Sequence, residues 1–167
     1  MVTIKSLYSK EVMKHFKNPK NIGIIKNADG VGKVGNIVCG DVMKFYIKVK
    51  NNKISDVKFQ TFGCVVAIAV SSALTEMVKG KTLNYAMKMT NGDILKKLGK
   101  VPALKIHCSV LAADGLHEAI YDYLSKNKMK IPKELEKEHQ RIKNTLEKVE
   151  EKHGEQTKLE EEIMNNF

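Results

Sequence analysis

The period of the apolar residues changes at Gly63, and this change limits the fold more than any other feature of the chain. Upstream, VMKFYIKVK (Val42–Lys50) and ISDVKFQTF (residues 54–62) carry β-branched and aromatic residues that suit a pleated surface, and they read as two strands. Asn51-Asn52-Lys53 between them is a hairpin turn, because asparagine tolerates positive φ. Downstream, residues 65–79 read as a buried helix closed by Gly80. Short helices follow at 83–89 and 93–98, separated by Asn91-Gly92. A longer one runs from about His107 to Lys126, with Val110, Leu111, Leu116, Ile120 and Leu124 along one side. Near the start, Ser9 caps a short helix bearing Val12, Met13 and Phe16, which ends before Asn18-Pro19. Gly23, Gly30, Gly32, Gly35 and Gly40 then mark turns and a mobile loop. Strands first and helices afterwards predict an α+β fold, a small antiparallel sheet covered on one face by helices, with a helical C-terminal extension.

The chain's 29 lysines and arginines against 19 acidic residues leave a net charge of +10, which raises the question of nucleic acid. Arg141 is the sole arginine and there is no tryptophan. Lysine neutralises phosphate but lacks the planar fork that reads base edges, so no nucleic-acid role is expected and an acidic protein surface suits this charge better. The longest apolar run, 65–70, is far too short to cross a membrane. Lysines, Glu11 and His15 sit where a secretory signal needs an apolar core, so a cytoplasmic location is expected.

Charge also divides the chain. Residues 1–125 hold 19 basic and 9 acidic groups, whereas 126–167 hold ten of each. The expectation is a compact domain over 1–126 and a charged helical extension over 127–167. In the extension Leu135, Ile142, Val149, Gln156 and Ile163 recur at steps of seven, with Leu146 beside them. Such a narrow stripe serves a coiled coil, and hence a homo-oligomer, or a partner; folding back on the chain's own domain is the equal alternative.

Cys39, Cys64 and Cys108 are too few and too dispersed for a disulfide framework, which points to reduced thiols. Cys39 is followed by Gly40, which lets a bulky ligand approach the backbone, and then by Asp41, whose carboxylate could reach the same metal. Cys64 falls at the strand-to-helix corner, where unpaired first-turn amides favour a thiolate. Cys108 also lies near a helix start, beside His107 and three residues after Lys105. Thiolate sulfur and imidazole nitrogen suit iron or zinc, and the lysine could balance thiolate or sulfide charge. Spacing alone leaves open a second reading, three independent buried cysteines, since free cysteine is often a small hydrophobe.

The flanking residues go further. YSKEVMKHFKNPKNIG, with Tyr8, Asn18, Pro19 and Asn21, resembles the N-terminal segment of the IscU/NifU-type iron–sulfur cluster scaffold family. Cys-Gly-Asp at 39–41 resembles its first ligand motif, and Phe-Gly-Cys at 62–64 with Ala67, Ala69, Ser71 and Ser72 its second. K-x-HCS-x-LA-x-D, Lys105 through Asp114, resembles the third, and together the similarity spans about residues 8–125. The resemblance implies a scaffold, not an enzyme, that assembles a labile 2Fe–2S cluster from iron and persulfide sulfur. A cysteine desulfurase would supply the sulfur and recipient apoproteins would take the cluster. It implies Cys39, Cys64 and Cys108 as ligands and sulfur acceptors, with Cys108 the first persulfide acceptor. Asp41 or His107 would be the exchangeable fourth ligand, Lys105 an assisting cation, and zinc could stand in for iron in the resting protein. A weak oxygen or nitrogen ligand lets a cluster leave more readily than a fourth thiolate.

A Suf-type sulfur acceptor, with zinc on Cys39, Asp41, Cys64 and Cys108, is the alternative; the absence of a long insertion between Cys64 and Cys108 favours the scaffold. Val65-Val66 stands where the family has a Gly-Ser pair, and Val70 where serine is usual, so bulkier groups crowd or dry the pocket. Val101-Pro102-Ala103-Leu104-Lys105 matches only part of the family's Leu-Pro-Pro-Val-Lys segment, which weakens the case for an Hsp70-type chaperone partner. The extension, without cysteine, has no counterpart in the family pattern.

Overall fold

Asn51 and Asn52 both take left-handed backbone, with φ of 52° and 61°, and close a two-residue hairpin between Lys50 and Lys53. The structure, a computed structural model, describes residues 7–37 and 40–166. Two expected strands flank the turn, β2 (Val42–Lys50) and β3 (Lys53–Phe62), paired antiparallel from Lys50↔Lys53 to Val42↔Phe62 with one irregularity at Lys48/Val49. A third strand, β1 (Gly30–Gly35), pairs antiparallel with β2 from Gly30↔Ile47 to Gly35↔Val42, giving the order β1-β2-β3. This corrects the reading of Gly30, Gly32 and Gly35 as turn and loop residues. Their missing side chains admit neighbouring helices to the strand.

Met43, Phe45, Ile47, Val57 and Phe59 of the sheet are fully buried on one face, with the Phe45 and Phe59 rings stacked at 6.1 Å. Two helices cover that face. The first, directly after the hairpin, is Val65–Val78; in chain order it is α2, after α1 (Lys10–Lys17). Val66, Ala67, Val70 and Leu74 of α2 are fully buried, so Val70 fills the core. The small helices α3 (Leu83–Met87) and α4 (Asn91–Leu98) come next. Thr90 and Asp93 form a reciprocal capping box, which puts Asn91 and Gly92 in the first turn of α4 rather than in a break before it. A single 3₁₀ turn, Ala103–Lys105, leads into α5 (His107–Lys126), the second covering helix. Leu111, Leu116, Ile120 and Leu124 line its buried side as expected, whereas Val110 faces outward, 39% exposed.

Ser9 caps α1 by accepting from the Val12 amide at 3.0 Å. The helix buries Val12 and His15 rather than Met13 and Phe16, because the His15 ring reaches Ser72 of α2 at 2.8 Å. The last helix, α6 (Lys133–Asn165), folds back on its own domain. Three side-chain pairs align it with α5, two imidazole–carboxylate hydrogen bonds and one arginine–carboxylate ion pair. Glu138 meets His117 at 2.8 Å, His139 meets Glu118 at 2.9 Å, and Arg141 holds Asp114 through two nitrogens at 2.8 and 3.2 Å. Leu135, Ile142 and Val149 are buried in the expected seven-residue register. Beyond them the buried positions become Thr157, Glu160 and Met164 instead of Gln156 and Ile163, because the backbone leaves helical geometry at His153 (φ −127°, ψ 22°) and turns the helix about its axis. Among the described residues no helix is long and apolar enough to cross a membrane.

Candidate functional site

Gly63 ends the β3 strand run at the corner into α2, and Cys64 becomes the residue that begins the helix. Cys108 is the second residue of α5. The two helices lie on the same face of the sheet with these ends together, so the sulfurs stand 4.0 Å apart although 44 residues separate them. A disulfide would need about 2 Å. Two thiolates on one tetrahedral metal at about 2.3 Å each stand about 3.8 Å apart, close to the spacing here. Both cysteines are free, Cys64 half-buried and Cys108 1% exposed.

Their electrostatics differ sharply. The Cys64 thiol is brought down to about 5, first by the hydrogen bond that Cys108 donates, then by the Val66 and Ala67 amides and the Lys105 ammonium, with burial opposing. Cys108 is pushed well above the ordinary thiol range by donating that bond, by burial and by the charges of Cys64 and Asp41. One proton and one negative charge are therefore shared by the pair at neutral pH, with the charge on Cys64. Cys108, which the resemblance implies as first sulfur acceptor, is the more covered of the two sulfurs.

Of the other residues singled out from the sequence, His107 places Nε2 3.6 Å from the Cys108 sulfur, and Lys105 lies near enough to favour both thiolates. Asp41, immediately before β2, faces the same corner, with Oδ2 3.5 Å from where a β-carbon on Gly63 would sit. Cys39 lies outside the described residues. Asp41, Cys64, Lys105, His107 and Cys108 thus meet at one end of the sheet. Among the described residues no three His, Cys, Asp or Glu side chains are already arranged to hold a metal ion. The donors that do converge, two sulfurs with an imidazole and a carboxylate at their margin, suit iron and zinc by type.

Three residues that the sequence motifs do not mark also border this end. His153 of α6 stands with Nε2 3.0 Å from the Ile37 carbonyl oxygen, and Gln156 lies against Gly40. Glu160 is buried, and the Asp41 charge helps raise its carboxyl above the usual range after burial itself. The one sequence signal for them is the break in the apolar seam at Gly154 and Gln156.

Comparison with known proteins places this geometry in a family. Residues 7–130 match the model described as the NifU-like N terminal domain. Over 138 residues the chain is 55% identical to the iron–sulfur cluster assembly scaffold protein IscU 1 of Archaeoglobus fulgidus, covering 78% of this chain and 90% of that protein. Over 121 residues it is 54% identical to the iron–sulfur cluster assembly scaffold protein IscU of Aquifex aeolicus, covering 71% and 77%. The solved N-terminal part of a nitrogen-fixing NifU-like protein from Brucella abortus has the same fold, with a TM-score of 0.59 at 22% identity over 72% of this chain and 96% of that one. On the family match over most of its length and on these identities, the chain belongs to the NifU-like N-terminal domain family, which includes the IscU scaffold proteins.

Proposed function

We propose that this chain is a scaffold on which a 2Fe–2S cluster is built and from which it is passed to recipient apoproteins, with no turnover chemistry of its own. The convergence of Cys64 and Cys108 at 4.0 Å carries the reading, supported by the names of the relatives. Cys39, Cys64 and Cys108 would hold the cluster, with Asp41 or His107 as the exchangeable fourth ligand. Sulfur would arrive as a cysteine desulfurase persulfide. An acceptor thiolate attacks the outer sulfur, a new S–S bond forms on this chain, and the desulfurase cysteine leaves as a thiolate. For Cys108 to act as acceptor its proton must first move, and the Cys64 thiolate and His107 are the bases in reach. Lys105 would offset the charge as thiolates and sulfide gather. Each transferred sulfur takes two electrons to become sulfide; iron(II) oxidised to iron(III) supplies part and an external reductant the rest.

Anaerobic incubation with iron(II), a cysteine desulfurase, cysteine and a thiol reductant should give a visible 2Fe–2S absorption that a chelator removes. Stable zinc with faster desulfurase turnover and no chromophore would instead mark a Suf-type sulfur acceptor. Asp41→Ala should lengthen the cluster's half-life against chelator severalfold, because the most exchangeable ligand is gone; faster loss, followed by the same absorption, would contradict Asp41 as that ligand.

A further inference from the structure

The C-terminal helix divides at His153 into two halves that do different things. The proximal half is held by Leu135, Ile142 and Val149 and by the histidine–carboxylate and arginine–carboxylate contacts with α5. Val149 and Leu146 close over Gly35, where a β-carbon would come within 3.2 and 3.3 Å of them. The distal half crosses the sheet's other face, at the end where Asp41 lies. Its Met164 carbonyl accepts from Gln60 at 2.6 Å, and the Gln60 oxygen in turn accepts from the Tyr46 hydroxyl at 2.8 Å. Lys33 of β1 pairs with Glu150 at 3.5 Å and with Glu161. On the loop before β2, the protonated His153 Nε2 donates to the Ile37 carbonyl at 3.0 Å. Gly40, with φ of +75°, sits directly under the His153 ring and the Gln156 amide; a β-carbon there would stand 3.1 and 3.2 Å from them.

We propose that the distal half of α6, from His153 to Met164, is an in-cis cover for the loop that carries Asp41, that His153 positions this loop, and that cluster exchange requires the cover to lift. This deepens the scaffold reading and rests on it. Three observations make the cover releasable. Its joint is the non-helical His153 followed by Gly154, beside whose α-carbon no described residue would meet an added β-carbon. Of its three buried side chains only Met164 is apolar, against three apolar anchors in the proximal half. Its buried Glu160 receives a bond from Gln156 on one oxygen, and the other has no hydrogen-bond partner among the described residues, so docking buries a carboxyl that they satisfy only in part. The cover also lies beyond residues 7–130, the part of the chain that the family model matches, and is therefore an addition to the shared domain.

The test uses the full chain in four forms: unaltered, Thr157→Arg/Met164→Glu to expel the distal half, His153→Ala to remove the loop contact, and His153→Gln to restore a donor. Amide hydrogen exchange over residues 36–42 reads the loop, where Gly40 donates to the Asn36 carbonyl at 2.7 Å and Asn36 to that of Asp41 at 2.9 Å. Absorbance in the presence of chelator reads cluster loss. The double variant should lose protection over both 155–164 and 36–42 and release the cluster about fivefold faster or more. His153→Ala should loosen 36–42 in the same direction and His153→Gln should recover most of it. Free exchange over 155–164 with unchanged 36–42 protection and unchanged release would overturn the proposal. Should the double variant fail to fold, equal protection in the His153→Ala and His153→Gln chains would overturn it too. A wild-type chain that gains no chromophore defeats the scaffold reading, while the exchange data still decide whether the cover holds the loop.

Discussion

Cys64 should lose most of its reactivity toward iodoacetamide at pH 6 when Cys108 is replaced by alanine. In the unaltered apo chain its thiol is brought down to about 5, so the proton leaves as pH rises through that value and the thiolate predominates at pH 6. The hydrogen bond from Cys108 is the largest cause, and Cys108→Ala removes the donor. Without any help the thiol would return toward about 8.5, where well under about 1% is ionised at pH 6. The Val66 and Ala67 amides and Lys105 remain, and a more basic thiolate is a better nucleophile, so the net fall is a few-fold to about tenfold. Alkylation at Cys64, followed by mass spectrometry from pH 4 to pH 9, should show a midpoint near 5 in the unaltered chain and one shifted upward in the variant. An unmoved midpoint would mean that the helix amides and the lysine hold the charge alone. In the unaltered chain Cys64 should be modified well before Cys108, which is covered and keeps its proton.

The parts of this molecule that sequence makes legible are those dictated locally. The hairpin follows from two asparagines that accept positive φ, and the strand-to-helix change at Gly63 follows from periodicity, so Cys64 falls at the helix start by counting. Strand β1 is hidden because its residues answer to a helix far along the chain. Glycine at 30 and 32 is a loop signal in any local window and a close-packing requirement only once α5 lies across it. In α6 the seven-residue spacing describes the burial correctly through Val149 and then misplaces it, since the kink at His153 rotates the distal half and nothing in the repeat records a rotation. For the site, spacing between cysteines leaves independent burial open. The motifs around them carry the pairing, and the geometry adds what motifs do not encode: how close the two sulfurs stand, and which α6 residues border Asp41.

Gly32→Ala should destabilise the fold strongly, although it adds a single methyl group. A β-carbon on Gly32 would come to 2.2 Å from the Gly115 carbonyl oxygen, 2.4 Å from the Ala119 nitrogen and 2.8 Å from the Glu118 β-carbon. The first two are backbone atoms of a helix, so no rotamer change relieves the clash and α5 must move off β1 as a body. Neither can Gly115 readily yield toward the sheet, because it is itself pressed on the Phe45 ring, where a β-carbon would stand 2.6 Å away. Overpacking of this kind costs about 3 kcal/mol or more. For a chain of this size that lowers the melting midpoint by roughly 6–12 °C. Gly154→Ala is the matched control: among the described residues nothing lies within 4 Å of its added carbon, and alanine favours the helix, so its midpoint should hold or rise slightly. The effect of Gly32→Ala reaches the site because α5 begins with His107 and Cys108. A helix lifted from β1 carries Cys108 away from Cys64, and the alkylation midpoint of Cys64 should move up in the folded variant as it does in Cys108→Ala. A lowered melting midpoint with the Cys64 midpoint still near 5 would show that α5 pivots about its N-terminal end and that the sulfur pair is held independently of the β1 contact.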